Sequence, residues 1–196
     1  MAHNILVFDT EATDLSPGQI CQLSYLIEGD DHVTGHNYFF SVDDMSPGAF
    51  EVHGFSMEKL DELSGKTYFE DIAHTFLPDF NNARLWVGHN VNADVNYLRV
   101  EMERAGLKLK KVPAFCTMNY ASGIMNMARK VVTGRPKPPK LSELAEYYEV
   151  KPELVTQKTM EWFQTDEVGL HDARYDTAMT YLCFKAAIQK GDLRGI

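Results

Sequence analysis

The chain opens on an unbroken apolar stretch, Ile5-Leu6-Val7-Phe8, that ends on an acid, Asp9. Ile5 and Val7 occupy one face of such a strand and Leu6 and Phe8 the other. A strand apolar on both faces is central and buried, so residues 4–9 are read as a strand. Asp14, Ser16, Pro17 and Gly18 mark a loop after it. Residues 19–28 and 36–42 read as two more strands, parted by the turn-forming run Gly29-Asp30-Asp31-His32. Three strands in this order predict an antiparallel meander.

From residue 56 the hydrophobic period lengthens. Ser56 is placed to cap a helix carrying Met57, Leu60 and Leu63. Phe69, Ile72, Phe76 and Phe80 then recur at helical spacing within 68–82. Residues 84–88 read as a short strand, 92–105 as a helix stopped by Gly106, and 112–116 as a last short strand. Helices are predicted near 117–130 and 141–148, and a final one over 173–190. The proline-rich basic loop from Thr133 to Lys140 lies between the first two. Strands first, then strands alternating with helices, predict an α/β fold with a mixed sheet flanked by helices. The length of 196 residues predicts one domain, 1–196.

Composition narrows the function. With 44% hydrophobic residues the chain can bury a sizeable core. Its formal net charge of −9 argues against coating duplex DNA by charge alone, because that needs Lys and Arg to displace counterions. It does not exclude a nucleic-acid enzyme, since a carboxylate site stays acidic until cations fill it. Cys21, Cys116 and Cys183 are far apart and show no zinc spacing. They fit a reducing, cytoplasmic setting. Residues 1–4 carry no signal-peptide pattern, and no apolar run approaches the roughly 20 residues a membrane helix needs.

Three segments carry candidate chemistry. In Phe8-Asp9-Thr10-Glu11 the two acids stand two apart on a strand and so share a face. Neighbouring carboxylates repel unless a cation neutralises them; a metal site and a solvated strand end are equally good readings of this segment alone. In Val87-Gly88-His89-Asn90-Val91-Asn92-Ala93-Asp94 a strand ends, a polar turn follows, and Asp94 enters the first turn of a helix. There an acid also simply complements the helix dipole. In Leu170-His171-Asp172-Ala173-Arg174-Tyr175-Asp176, Asp172 is placed to cap a helix, with His171 on the preceding loop and Asp176 inside it. An isolated His171 would be a surface histidine.

Taken together, Asp9-x-Glu11, Gly88-His89-Asn90 with Asp94, and His171-x-Ala173-x-x-Asp176 resemble the signature of the DnaQ-like, DEDDh-type 3′→5′ exonucleases of the RNase H-like superfamily. Glu51-Val52-His53-Gly54-Phe55, Phe115-Cys116-Thr117-Met118 and Lys140-Leu141-Ser142-Glu143-Leu144 extend the likeness over roughly residues 4–190, nearest to short stand-alone members of the exonuclease X type. One departure is Ala12, where members often carry Thr or Ser.

The resemblance implies an RNase H-like sheet and two Mg²⁺ or Mn²⁺ ions held by Asp9, Glu11, Asp94 and Asp176. Asp9 would bridge both ions, Glu11 and Asp176 would hold the one that activates water, and Asp94 would complete the other side through water. His171 would be the general base. Ala12, Thr13, Leu15, His53, Phe55 and Asn90 would meet the substrate, with Leu15 wedged against the last base; core packing is as good a reading for Leu15 and Phe55. The basic run Arg129, Lys130, Arg135, Lys137 and Lys140 either tracks phosphates or is a solvated connector. The implied substrate is a single-stranded DNA 3′ end. An exoribonuclease, a polymerase-associated proofreading subunit and a catalytically silent binding module are the alternatives, and a homodimer is compatible with all of them.

Overall fold

A computed structural model describes residues 5–30, 32–125, 137–168 and 172–193. Five strands form one sheet: β1 (Ile5–Ala12), β2 (Ile20–Glu28), β3 (Val33–Phe39), β4 (Leu85–Gly88) and β5 (Ala114–Cys116). Their order is β3-β2-β1-β4-β5, which makes β1 the central strand. β1 pairs antiparallel with β2, and β2 antiparallel with β3. β1 and β4, and β4 and β5, run parallel. The expected meander and mixed sheet are therefore present.

The helices are α1 (Pro47–His53), α2 (Met57–Ser64), α3 (Phe69–Asn82), α4 (Val91–Arg104), α5 (Thr117–Ile124), α6 (Leu141–Tyr147), α7 (Pro152–Phe163) and α8 (Ala173–Gln189). The alternation along β1 decides which helix each face meets. Leu6 and Phe8 enter the main core with Phe76 and Phe80 of α3 and Leu98 and Met102 of α4. Ile5 and Val7 face the other way, onto Tyr181 and Phe184 of α8. A third cluster joins α6, α7 and α8 through Leu144, Val155, Ala178 and Cys183. No described helix is long and apolar enough to cross a membrane.

Three elements differ from expectation. β3 spans 33–39 rather than 36–42, because Phe40 and Val42 leave the sheet and are buried. α1 has the stop and start signals of a short helix: Ser46 caps Ala49 N–H at 3.2 Å, Pro47 starts it, and Gly54 ends it in the left-handed region at φ 75°. α7 hides its period because Leu154 and Met160 are exposed while Val155 and Thr159 are buried. Of the helix expected near 117–130, residues 117–124 are helical and those from 126 lie outside the described residues.

Gly35 explains how α7 reaches the edge strand. A Cβ there would meet the Trp162 carbonyl oxygen at 2.6 Å and Phe163 Cδ1 at 2.9 Å. Gly35→Ala forces β3 and the end of α7 apart, so it should destabilise the protein by about 1–3 kcal/mol. Urea unfolding followed by circular dichroism reads this directly, and an unchanged midpoint would contradict the packing.

Candidate active site

The site forms where β1 outruns its parallel neighbour. β4 pairs with β1 only as far as Val7, so beyond it β1 is paired on its β2 edge alone. Asp9 and Glu11 continue the face that meets α8, and Asp176 lies in the first turn of that helix. Thr10 points to the opposite side, toward α4. Its backbone N–H and its hydroxyl both donate to Asp94 Oδ1, at 3.1 and 2.7 Å. One strand end thus gathers acids from two helices. Carboxylate oxygens of Asp9, Glu11 and Asp176 all lie within 4.8 Å of one another.

Close approach of the strand to the α4 turn requires Gly88, where a Cβ would sit 3.1 Å from the Phe8 carbonyl oxygen. Asn90 follows in the left-handed region at φ 68°, ψ 32°, and its carbonyl accepts from Ala93 N–H at 2.9 Å. Asn90 therefore forms the turn that delivers Asp94, with its own side chain exposed. His89 secures the turn from behind, its ring nitrogens 3.0 Å from Thr117 Oγ1 and 3.0 Å from the Pro139 carbonyl oxygen.

The start of α8 rests on a buried polar network. Asp172 caps the helix at Arg174 N–H, as expected, at 2.9 Å. Gln22 Nε2 donates to Asp172 Oδ1 at 2.8 Å, and Gln22 Oε1 accepts from Ala173 N–H at 3.1 Å. The Arg174 guanidinium also embraces Asp172, with Nη2 2.5 Å from Oδ2. Thr177 Oγ1 donates to the Ser24 carbonyl at 3.2 Å. These contacts set the rotation of α8 and hence the aim of Asp176. A single sequence gave no sign of Gln22 or Arg174, because their partners lie far along the chain or form only in the cap.

Crowding controls the electrostatics. Burial, then Asp94, Asp176 and Glu11, hold the Asp9 carboxyl well above the ordinary carboxylate range. Burial, then Asp176 and Asp94, push Glu11 up to about 8. Burial pushes Asp94 up to about 6, against the lowering effect of the Thr10 hydrogen bonds. Such a cluster takes up either protons or cations. Its donors are all carboxylate oxygens, which suit a hard divalent cation rather than zinc.

The expected substrate-binding residues fall into two groups. Ala12 and His53 line a cleft of 360 Å³ beside Glu11, together with Leu15, which is 94% exposed and so not a core residue. Thr13 sits differently. Its side chain is fully buried, where Oγ1 accepts from Gln19 N–H at 3.1 Å and lies 3.3 Å from Asp44 Oδ1. It closes the base of the 13–19 loop. Phe55 packs edge-on to Phe39 at 5.4 Å and stacks on His53 at 5.3 Å, beside a small buried cluster. His53 Nδ1 accepts from Phe55 N–H at 3.1 Å, and burial holds its ring below the usual histidine range. The sequence reading missed Thr10, Ala49, Val52 and Tyr97, all lining that cleft. His171 lies outside the described residues, as does the basic run from Arg129 to Arg135. Lys137, the next cation of the run, is paired with Glu143 at 2.7 Å.

Residues 6–184 match the family model for RNase T-type exonucleases, so the chain belongs to this exonuclease family. Solved structures of exonuclease I share its fold. One described as suggesting how processivity is achieved matches at a TM-score of 0.71 and 14% identity, over 95% of this chain and 41% of that one. The E. coli enzyme in complex with a 5cy-dT13 oligonucleotide matches at 0.70 and 15%, over 98% and 41%. A product-bound form matches at 0.70 and 15%, over 96% and 44%. The chain thus spans about two fifths of the exonuclease I chains it matches. No curated protein sequence matches it.

The raised carboxyls make metal-free stability depend on pH. Their folded forms bind protons that the unfolded chain has released, so this contribution is present below the ordinary carboxylate range and is lost as pH rises toward about 8 at Glu11. Without divalent cation, the melting temperature should fall between about pH 5 and pH 8. Millimolar Mg²⁺ should raise it more at the higher pH, where the carboxylates are ready to bind. Differential scanning fluorimetry of the wild type and an Asp9→Asn/Glu11→Gln variant tests this. The variant should show a flatter pH profile and a weaker Mg²⁺ response; identical curves would refute the account.

Proposed function

We propose that the chain, acting as one exonuclease domain, hydrolyses phosphodiester bonds from the 3′ end of single-stranded DNA and releases nucleoside 5′-monophosphates. The observation that carries this reading is the convergence of Asp9, Glu11 and Asp176 within 4.8 Å, in a member of the exonuclease family. Asp94, anchored by Thr10, borders that cluster. Exonuclease I in complex with a dT13 oligonucleotide shares the fold, which supports a single DNA strand as substrate.

Asp9, Glu11, Asp94 and Asp176 would hold two Mg²⁺ or Mn²⁺ ions. When bound, two such ions supply an activated water, charge neutralisation on the phosphate and help for the departing oxygen. Asp9, which lies among the other three acids, would contribute to holding both ions. Glu11 and Asp176 would hold the ion that activates water, and Asp94 would complete the other side. His171 takes the proton from the attacking water; an ordinary imidazole titrates close to neutral pH and suits that task. The cleft between Ala12, Leu15, Ala49, Val52 and Tyr97 receives the terminal nucleoside beside Glu11. Its walls are largely apolar, which suits the flat face of a base.

The test is digestion of 5′-labelled single-stranded DNA and RNA oligomers with Mg²⁺, with Mn²⁺ and with chelator. A ladder that shortens from the 3′ end, needs metal and disappears in Asp9→Ala is the expected result. DNA should be the faster substrate, and faster RNA cleavage would transfer the reading to an exoribonuclease. Replacing His171 with Ala should lower kcat by roughly 10²–10⁴ and remove the acidic limb of the pH–rate profile. Full activity in Asp9→Ala would end the proposal.

A further inference from the structure

Helix α4 does more than present Asp94. Asp94, Tyr97, Glu101 and Arg104 recur at intervals of three, four and three, which puts them on one stripe of the helix. Asp94 accepts from Thr10, as described. One turn on, the Tyr97 hydroxyl donates to the Asp14 carbonyl at 2.7 Å. At the end of the helix the Arg104 guanidinium reaches the Pro17 carbonyl at 3.2 Å and the Gly18 carbonyl at 3.4 Å. Glu101, only 3% exposed, aims that guanidinium through a 2.5 Å contact to Nη1.

These contacts fall on either side of Leu15. The loop that carries it is also closed at its base, where Thr13 N–H donates to the Gln19 carbonyl at 2.9 Å. Gly18 lets the turn close, since a Cβ there would lie 2.5 Å from Thr13 Oγ1. A loop fixed at so many points nevertheless holds a leucine 94% exposed at the rim of the cleft beside Glu11. An apolar side chain held out in water loses hydrophobic stabilisation in the free protein and regains it only when something apolar covers it.

We propose that Tyr97 and Arg104 are positioning residues, which clamp the 13–18 loop so that Leu15 stands as a fixed apolar rim for the base of the terminal nucleotide. The proposal rests on the exonuclease reading. It adds that α4 links the position of Asp94 to the shape of the nucleoside cleft, because the same stripe holds both. Preorganising the rim spares the cost of ordering it when substrate arrives.

The experiment uses Tyr97→Phe, Arg104→Gln, Leu15→Ala and the double variant Tyr97→Phe/Leu15→Ala. Hydrogen exchange in the free protein comes first, because it needs no activity. Amides of Leu15, Ser16 and Gly18 should exchange faster in Tyr97→Phe and Arg104→Gln, while those of β1 and β2 keep wild-type protection. Steady-state digestion of a single-stranded oligonucleotide follows. Tyr97→Phe should raise KM by roughly 3- to 10-fold, the scale of one hydrogen bond, with a much smaller change in kcat. The double variant should be no worse than Leu15→Ala alone, since the hydroxyl removed in Tyr97→Phe acts through Leu15 while the ring stays in the cleft wall. Additive effects, a loss confined to kcat, or unaltered exchange at the loop would overturn the clamp. A wild-type protein without nuclease activity but with the expected exchange changes would instead sink the exonuclease reading and leave the clamp standing.

Discussion

Mutual repulsion among crowded, largely desolvated carboxylates is the constraint on which the rest of this structure depends. Asp9, Glu11, Asp94 and Asp176 are brought together at one strand end, where Asp94 and Asp176 raise the cost of ionising both Asp9 and Glu11. Left to themselves such groups would splay into water. The fold prevents this by taking them from elements that cannot move independently: the central strand of the sheet and two helices packed on opposite faces of it. The strand alternation that buries Phe8 against α3 and α4 and Val7 against α8 also sends Thr10 to Asp94 and Asp9 to Asp176. The core and the site thus share one register, and a slip of one residue in β1 would invert both.

Polar contacts then fix what packing leaves free. A helix lying on a sheet by apolar contact alone can rotate and slide. Gln22, with its amide on Asp172 and its carbonyl on Ala173 N–H, ties the first turn of α8 to β2 at one point, and Thr177 to the Ser24 carbonyl ties the next turn. On the other face Gly88 brings the α4 turn up against the strand, and His89 holds it to Thr117 and the Pro139 carbonyl. Burying Gln22 and Asp172 is tolerable because both are satisfied within a network that the half-buried Arg174 completes.

Much of this was legible in the sequence, and the limits have physical causes. The doubly apolar strand at Ile5–Phe8, the helical spacing of Phe69, Phe76 and Phe80, and the cap at Asp172 are local signals, and all three elements formed. The convergence of Asp9, Glu11 and Asp176 was legible only from the order and spacing of three segments, since no one of them separates a metal ligand from a solvated acid. What escaped depends on contacts distant in sequence. β3 ends at Phe39 because Phe40 and Val42 turn away into buried positions, and Gly35 lets α7 approach it; no pattern near these residues reports either contact. Thr13 belongs to the motif loop but is buried by Asp44 and Gln19. Thr10 stands between two acids on the wrong face of a strand, so a reading by alternation discards it, although it holds the fourth carboxylate.

The division of labour around the cleft follows from the same geometry. Groups that must not move sit on strand and helix: three acids on β1 and α8, and one on α4. The exposed side chain at the rim of the cleft, Leu15, sits on a loop. A loop gains freedom to fit a substrate and loses the precision of an element. Here α4 resolves that conflict, because the stripe that begins at Asp94 continues through Tyr97 to Arg104 and holds the loop along its length. The acids and the rim of the cleft therefore share one rigid frame. The spacing between the acids and the loop rim is then a property of a single helix, and not of two parts that must find each other.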